Sequence, residues 1–143
     1  MKTKEMIQRL SLFLLALVLT MPTWAQGSNE MSIGSKEDWK AFCQRVDNDE
    51  TTLNAKLTQD VDLGSEIVML GDYNSMYAGT FDGQNHTLTL GWDGGDGWMA
   101  PFHTMNGATI KNLRVNGYIK SKGKGLSGLI LNVYGNTTVS GCT

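Results

Sequence analysis

Proline is nearly missing from this chain. Of its 143 residues two are Pro, and only Pro101 lies beyond the first 25, where all seventeen Gly are found. Glycine without proline excludes a proline-stiffened spacer and points to many tight turns rather than to a linker. Cysteine is scarce as well: Cys43 and Cys142 allow at most one intramolecular disulfide. The two histidines, His86 and His103, stand seventeen residues apart, neither of them in a His-Glu-x-x-His setting. That spacing gives no metal-binding motif. A basic surplus is lacking too. Beyond residue 25 there are nine Lys+Arg against thirteen Asp+Glu, a net charge of −4, which is not the footprint of a nucleic-acid binder.

What is present begins with an export signal. Lys2, Lys4 and Arg9 form a positive segment, and an apolar run follows from Leu12 to Leu19. Thr23 and Ala25 then supply small residues before Gln26. This is the pattern of a cleaved secretory signal peptide over residues 1–25. The run falls short of the roughly 20 apolar residues needed to cross a bilayer. The expected location is therefore secreted or cell-surface, with no membrane span after cleavage.

Residues 26–50 read as a polar leader and a capping helix. Ser35-Lys-Glu-Asp38 resembles a capping box with Ser35 as N-cap. Trp39, Phe42, Cys43 and Val46 follow at the spacing of one helical face. Aromatic residues in such a stripe belong to packing rather than to ligand recognition.

After residue 50 the helical period stops and short apolar runs replace it, bounded by Gly, Asn or Asp. Taking Val61, Leu88, Ile110 and Val139 as equivalent gives steps of 27, 22 and 29 residues, a period typical of repeat architectures. The last two units align in detail, with Gly107 on Gly135 and Phe102 on Ile130. Within them the alternation slips by one at Asn112 and Gly141, the residue types that best tolerate positive φ. The expected fold over residues 51–143 is all-β, a right-handed parallel β-helix (solenoid) of about four coils. Its inward set is Leu57, Val61, Leu63, Phe81, Leu88, Leu90, Phe102, Ile110, Leu113, Val115, Leu129 and Val139. Stacked coils about 4.8 Å apart would hold Cys43 and Cys142 beyond disulfide reach. A hairpin sandwich is the alternative, although its turns would recur every 8–12 residues.

Three stretches resemble a known group, the secreted bacterial proteins that carry the GLUG motif. They are Tyr77-Ala-Gly-Thr-Phe-Asp-Gly-Gln-Asn-His-Thr-Leu88, Gly107-Ala-Thr-Ile-Lys-Asn-Leu-Arg-Val115 and Gly125-Leu-Ser-Gly128. The resemblance implies a parallel β-helix in an adhesin-like surface protein, or a non-catalytic region of an immunoglobulin-cleaving peptidase. It brings no catalytic residues with it. Asn85 stands where the motif has Gly, and Tyr77 where it has Phe. The resemblance also implies further coils or another domain beyond Thr143, so the sequence is expected to be a C-terminally truncated fragment.

The chemistry-bearing residues give no convergent set. Asp82 and His86 sit four apart in Phe81-Asp-Gly-Gln-Asn-His86, but in a repeating fold they read as turn residues rather than as an acid–base pair. Gly125-Leu-Ser-Gly128 is not a nucleophile elbow, because Gly128 directly follows Ser127. Asp93 and Asp96 offer two carboxylates to calcium, which takes six to eight oxygens; a solvated turn accounts for them better. Lys111, Arg114, Lys120, Lys122 and Lys124 form an acid-free basic run suited to a solvated face that discourages edge pairing. Trp92 and Trp98 flank the Asp/Gly loop and fit core packing or sugar stacking. Asp60, Asp62, Asp72 and Asp82 are the one acidic group dense enough to consider for a glycan-cleaving site.

These readings converge on an exported, non-enzymatic β-solenoid module of a bacterial surface or adhesin-like protein, with no catalytic, metal or cofactor residue assigned. Host or cell-surface glycans or proteins are the expected partners, and nucleic acid is not. The alternatives are a carbohydrate-active β-helix enzyme acting on acidic glycans, and the N-terminal fragment of a larger secreted peptidase or surface protein.

Overall fold

The computed structural model describes residues 29–143; the expected signal peptide, residues 1–25, lies outside them. The chain runs β1 (Glu30–Ile33), α1 (Lys36–Asp47), β2 (Asn54–Leu57), β3 (Val61–Asp62), β4 (Thr80–Asp82) and β5 (Thr87–Asp93). It continues through β6 (Phe102–Asn106), β7 (Thr109–Lys111), β8 (Arg114–Lys120), β9 (Ile130–Tyr134) and β10 (Thr138–Ser140).

Helix α1 forms where its sequence places it. Ser35 is the N-cap, and its Oγ accepts from the Asp38 amide at 3.1 Å. Asp38 Oδ2 reaches back to the Gly34 amide at 3.0 Å, one residue earlier than in the usual capping box. Trp39, Phe42, Cys43 and Val46 are buried. Trp39 meets Phe81 and Phe102 edge-on, with ring centroids 5.8 and 5.7 Å apart, and Phe42 meets Tyr77 in the same way at 5.6 Å. These pairs tie the helix to β4, β6 and the segment between β3 and β4.

The strands form three sheets, ordered β1-β2-β4-β7-β10, β3-β5-β8 and β6-β9, with parallel pairing throughout. In the largest, Ala55, Phe81, Ile110 and Val139 lie in register. In the second the column is Val61, Leu88, Val115, and in the third Phe102 pairs with Ile130. The equivalence Val61–Leu88–Ile110–Val139 read from the sequence therefore joins two different sheets, because each segment holds more than one apolar run.

Two expectations are corrected. The right-handed parallel β-helix of about four coils is not the architecture found. The structure has three small separate sheets of five, three and two strands with one short helix. β3 is only two residues long, and between β3 and β4 there are only isolated bridges at Leu70 and Tyr77. The Gly- and Asp-rich stretch of residues 64–79 supplies too few apolar residues to make a strand of every equivalent run. Mostly β remains a correct description. The second correction concerns the leader and the cap. Residues 30–33 are a strand that pairs with β2, so α1 is inserted between two strands of one sheet rather than placed ahead of the first.

The core holds Leu57, Val61, Leu63, Phe81, Leu88, Leu90, Phe102, Ile110 and Leu113, together with Ile33, Leu53, Leu70, Tyr77, Trp92, Met99 and Met105. Val115 and Leu129 are only partly buried against it, and Val139 is 47% exposed. The corner at Asn112 has φ +53° and its counterpart at Gly141 φ +62°, the positive values that the slipped alternation required. Cys43 and Cys142 are both free thiols.

Candidate functional site

The acidic group considered for chemistry is committed to local backbone. Asp60 Oδ1 accepts from the Thr87 amide at 2.8 Å, and Asp62 Oδ1 from Gly64 at 2.8 Å. Asp72 Oδ1 accepts from the amides of Asn74 and Ser75, each at 2.7 Å. Asp82 Oδ1 accepts from the Gln84 amide at 2.9 Å. Short polar side chains that bond the backbone two or three residues on stabilise turns.

Asp82 and His86 are not brought together as a pair. The Asp82 carboxylate also meets Gln84 Nε2 at 2.9 Å, Lys111 Nζ at 3.4 Å and Asn112 Nδ2 at 3.4 Å. Burial pushes its pKa up, but the hydrogen bonds from Gln84, Asn112 and Lys111 outweigh that and hold it below the usual value. His86 instead lies 3.5 Å from Asp60, and its amide donates to the Gly83 carbonyl at 2.8 Å. His103 Nδ1 is 2.9 Å from Thr104 Oγ1, with its ring edge-on to Tyr73.

At the Asp93–Asp96 turn, Asp93 faces Lys120 at 3.7 Å, and Lys120 also sits 4.9 Å from the centre of the Tyr118 ring. Among the described residues no group of three or more His, Cys, Asp or Glu side chains is placed to hold a metal ion. The two tryptophans divide: Trp92 is fully buried, with no hydrogen-bond partner for its Nε1 among the described residues, whereas Trp98 is 53% exposed. Of the basic run, Lys111 and Lys120 have acidic neighbours in Asp82 and Asp93.

The feature that stands apart is the C-terminal side of the three sheets. Leu113 is the last buried residue, and every residue from Arg114 to Thr143 is half-buried or exposed. Yet that stretch is rich in apolar side chains, among them Tyr118, Leu126, Val133, Tyr134 and Val139, all at least 45% exposed. β10, β8 and β9 are the outermost strands of their sheets on this side. Beside β8 a groove of about 600 Å³ is lined by Val115, Gly117, Ile119, Leu126, Leu129 and Val139 among others.

Charge follows the same division. Residues 29–96 carry thirteen Asp+Glu and four Lys+Arg, whereas residues 97–143 carry five Lys+Arg and no acid. The sequence reading took Val115, Leu129 and Val139 as core and so missed this face. The signal was available: the apolar alternation of β8 continues with no later run long enough to cover it.

No helix among the described residues is long and apolar enough to cross a membrane. Comparison of the chain with family models, with curated proteins and with solved structures gives no match in any of the three.

Proposed function

We propose that the protein is an exported, non-catalytic module of an adhesin-like bacterial surface protein, and that it works by binding. The observation that carries this reading is the apolar C-terminal side of the sheets, where strand edges, exposed aliphatic side chains and an acid-free basic segment coincide. Large exposed apolar patches mark interaction surfaces. The carboxylates of Asp60, Asp62, Asp72 and Asp82 hold turns together, a structural use that supports binding over catalysis. Export rests on the signal-peptide pattern of residues 1–25, and the adhesin-like context on the resemblance carried by residues 77–88, 107–115 and 125–128.

The test pairs a binding assay with an activity assay on the secreted chain. Saturable binding to bacterial or host cells, reduced by Ile119→Asp and Val139→Asp, is the expected result, with no loss of viscosity in polygalacturonate solutions. Depolymerisation that disappears in Asp82→Ala would overturn the reading in favour of a glycan-cleaving enzyme.

A further inference from the structure

We propose that the groove beside β8 takes an extended acidic segment of a partner protein, added as a further strand to the β3-β5-β8 sheet. This deepens the binding reading above, on which it rests, by naming the partner's chemistry.

The backbone of β8 sets the first condition. The Arg114 amide donates to the His86 carbonyl at 3.1 Å, and the Lys120 carbonyl accepts from Gly94 at 3.0 Å. Even-numbered residues of the strand therefore turn their peptide groups toward β5 and its extension. Odd-numbered residues face the other way. The Val115 amide donates to the Thr143 carbonyl at 2.8 Å, and the Thr143 amide donates to the Leu113 carbonyl at 3.0 Å. Thr143 thus makes the first rung of a parallel ladder, and Gly117 and Ile119 continue the same row. Among the described residues β8 pairs with β5 and with no other strand. An extended peptide satisfies such an edge with its main chain, and pockets for alternate side chains then select its sequence.

The side chains set the second condition. The groove floor is aliphatic, with Val115, Ile119 and Leu129 only partly covered. Apolar residues at alternate positions of the incoming strand would fill it. Charge sets the third. Lys120, Lys122 and Lys124, all exposed, follow directly from the end of β8 in a region of 47 residues without an acid. Aspartate or glutamate at the intervening positions complements them, and like-charged strands are excluded.

The same features disfavour other occupants. Two copies meeting by this side would oppose five cations with five. A copy arriving by its other end would present the polar outer face of α1, where Glu37, Gln44 and Arg45 are partly or fully exposed, to an apolar floor. A polysaccharide has no regular row of amides and carbonyls to pair with Gly117 and Ile119.

The experiment titrates the folded secreted chain with a short labelled peptide of alternating valine and glutamate, read by fluorescence anisotropy and by amide exchange. Binding should weaken as salt rises and should slow exchange at the Gly117 and Ile119 amides. Ile119→Pro, which removes one edge donor, should weaken binding by about tenfold or more. Lys122→Glu, an exposed change that leaves the strand untouched, should weaken it comparably and guards against misfolding of the proline variant.

Equal binding of the valine–lysine peptide would overturn the charge assignment. Binding of polygalacturonate but not of the peptide would overturn the strand assignment, and so would self-association that Ile119→Pro abolishes. Polysaccharide cleavage lost in Asp82→Ala would instead defeat the broader non-catalytic reading. The peptide titration is read separately from that activity assay, so the two failures are distinguishable.

Discussion

The indole Nε1 of Trp39 donates to the carbonyl oxygen of Val68 at 2.9 Å, across 29 residues of sequence. One side chain thereby fastens α1 to a stretch that belongs to no named strand, while its ring lies edge-on to Phe81 and Phe102. Trp39→Ala is expected to cost about 3–5 kcal/mol, since it removes a fully buried aromatic and leaves a cavity. Trp39→Phe keeps much of the volume and loses the hydrogen bond, at about 1–3 kcal/mol. Urea denaturation gives both values; a Trp39→Ala midpoint equal to wild type would contradict the fastening role.

Asp82 makes stability depend on acidity. Its pKa is depressed in the folded chain because the hydrogen bonds it receives outweigh the effect of burial. The stabilisation is thus fully present above the unfolded value, about 3.9, and is lost as pH falls through the lower folded value. Wild type should lose stability below about pH 4 more steeply than Asp82→Asn, which has no carboxyl to titrate. Thermal melts of both proteins across that range check this, and parallel acid limbs would refute it.

Gly117 sits at φ +107°, and a Cβ built there would lie 1.8 Å from the Leu90 carbonyl oxygen in the neighbouring strand. Gly117→Ala should destabilise by about 2 kcal/mol or more, through both the φ and the contact. At Gly128 a Cβ meets nothing within 4 Å, so Gly128→Ala should stay within about 0.5 kcal/mol of wild type. Similar losses in the two variants would show that the close approach at Gly117 is wrong.

The two thiols should react very differently. Burial, with the Asp47 carboxylate adding to it, pushes the Cys43 pKa far up, and its side chain is inaccessible. Cys142 is partly exposed, with its Sγ near the carbonyls of Ile110 and Ser140. A thiol reagent should modify one cysteine in the native protein and both in denaturant, as counted by mass. Rapid native labelling of Cys43 would mean that α1 is not seated on the core.

Helix α1 was readable because local signals suffice for it: a cap at Ser35 and four apolar residues at helical spacing. The positive φ at Asn112 was equally legible, since a slip in strict alternation has a backbone cause. The sheets were harder. Val61 and Ile110 look alike in sequence, yet they join different sheets, because pairing is decided by which turns close between them and not by the runs themselves. Strand β1 escaped notice because Glu30-Met-Ser-Ile33 is short and half polar, and its partner β2 lies 24 residues on. At the candidate site, Asp82 was rightly read as a turn residue, but the open side of β8 was not foreseen. Whether Val115 and Val139 are covered depends on what lies over them, which no pattern within their own strands records.

The pairing order bears on how the molecule is built. In each strand pair the later partner follows the earlier by 24 to 29 residues, and no strand waits for one far downstream. Loops of nearly uniform length carry nearly uniform closure cost, because that cost grows only slowly with length. A chain emerging from its amino end would therefore always find its template already laid down. Assembly can proceed as successive additions, each strand docking on the last, without any single long-range encounter to delay it.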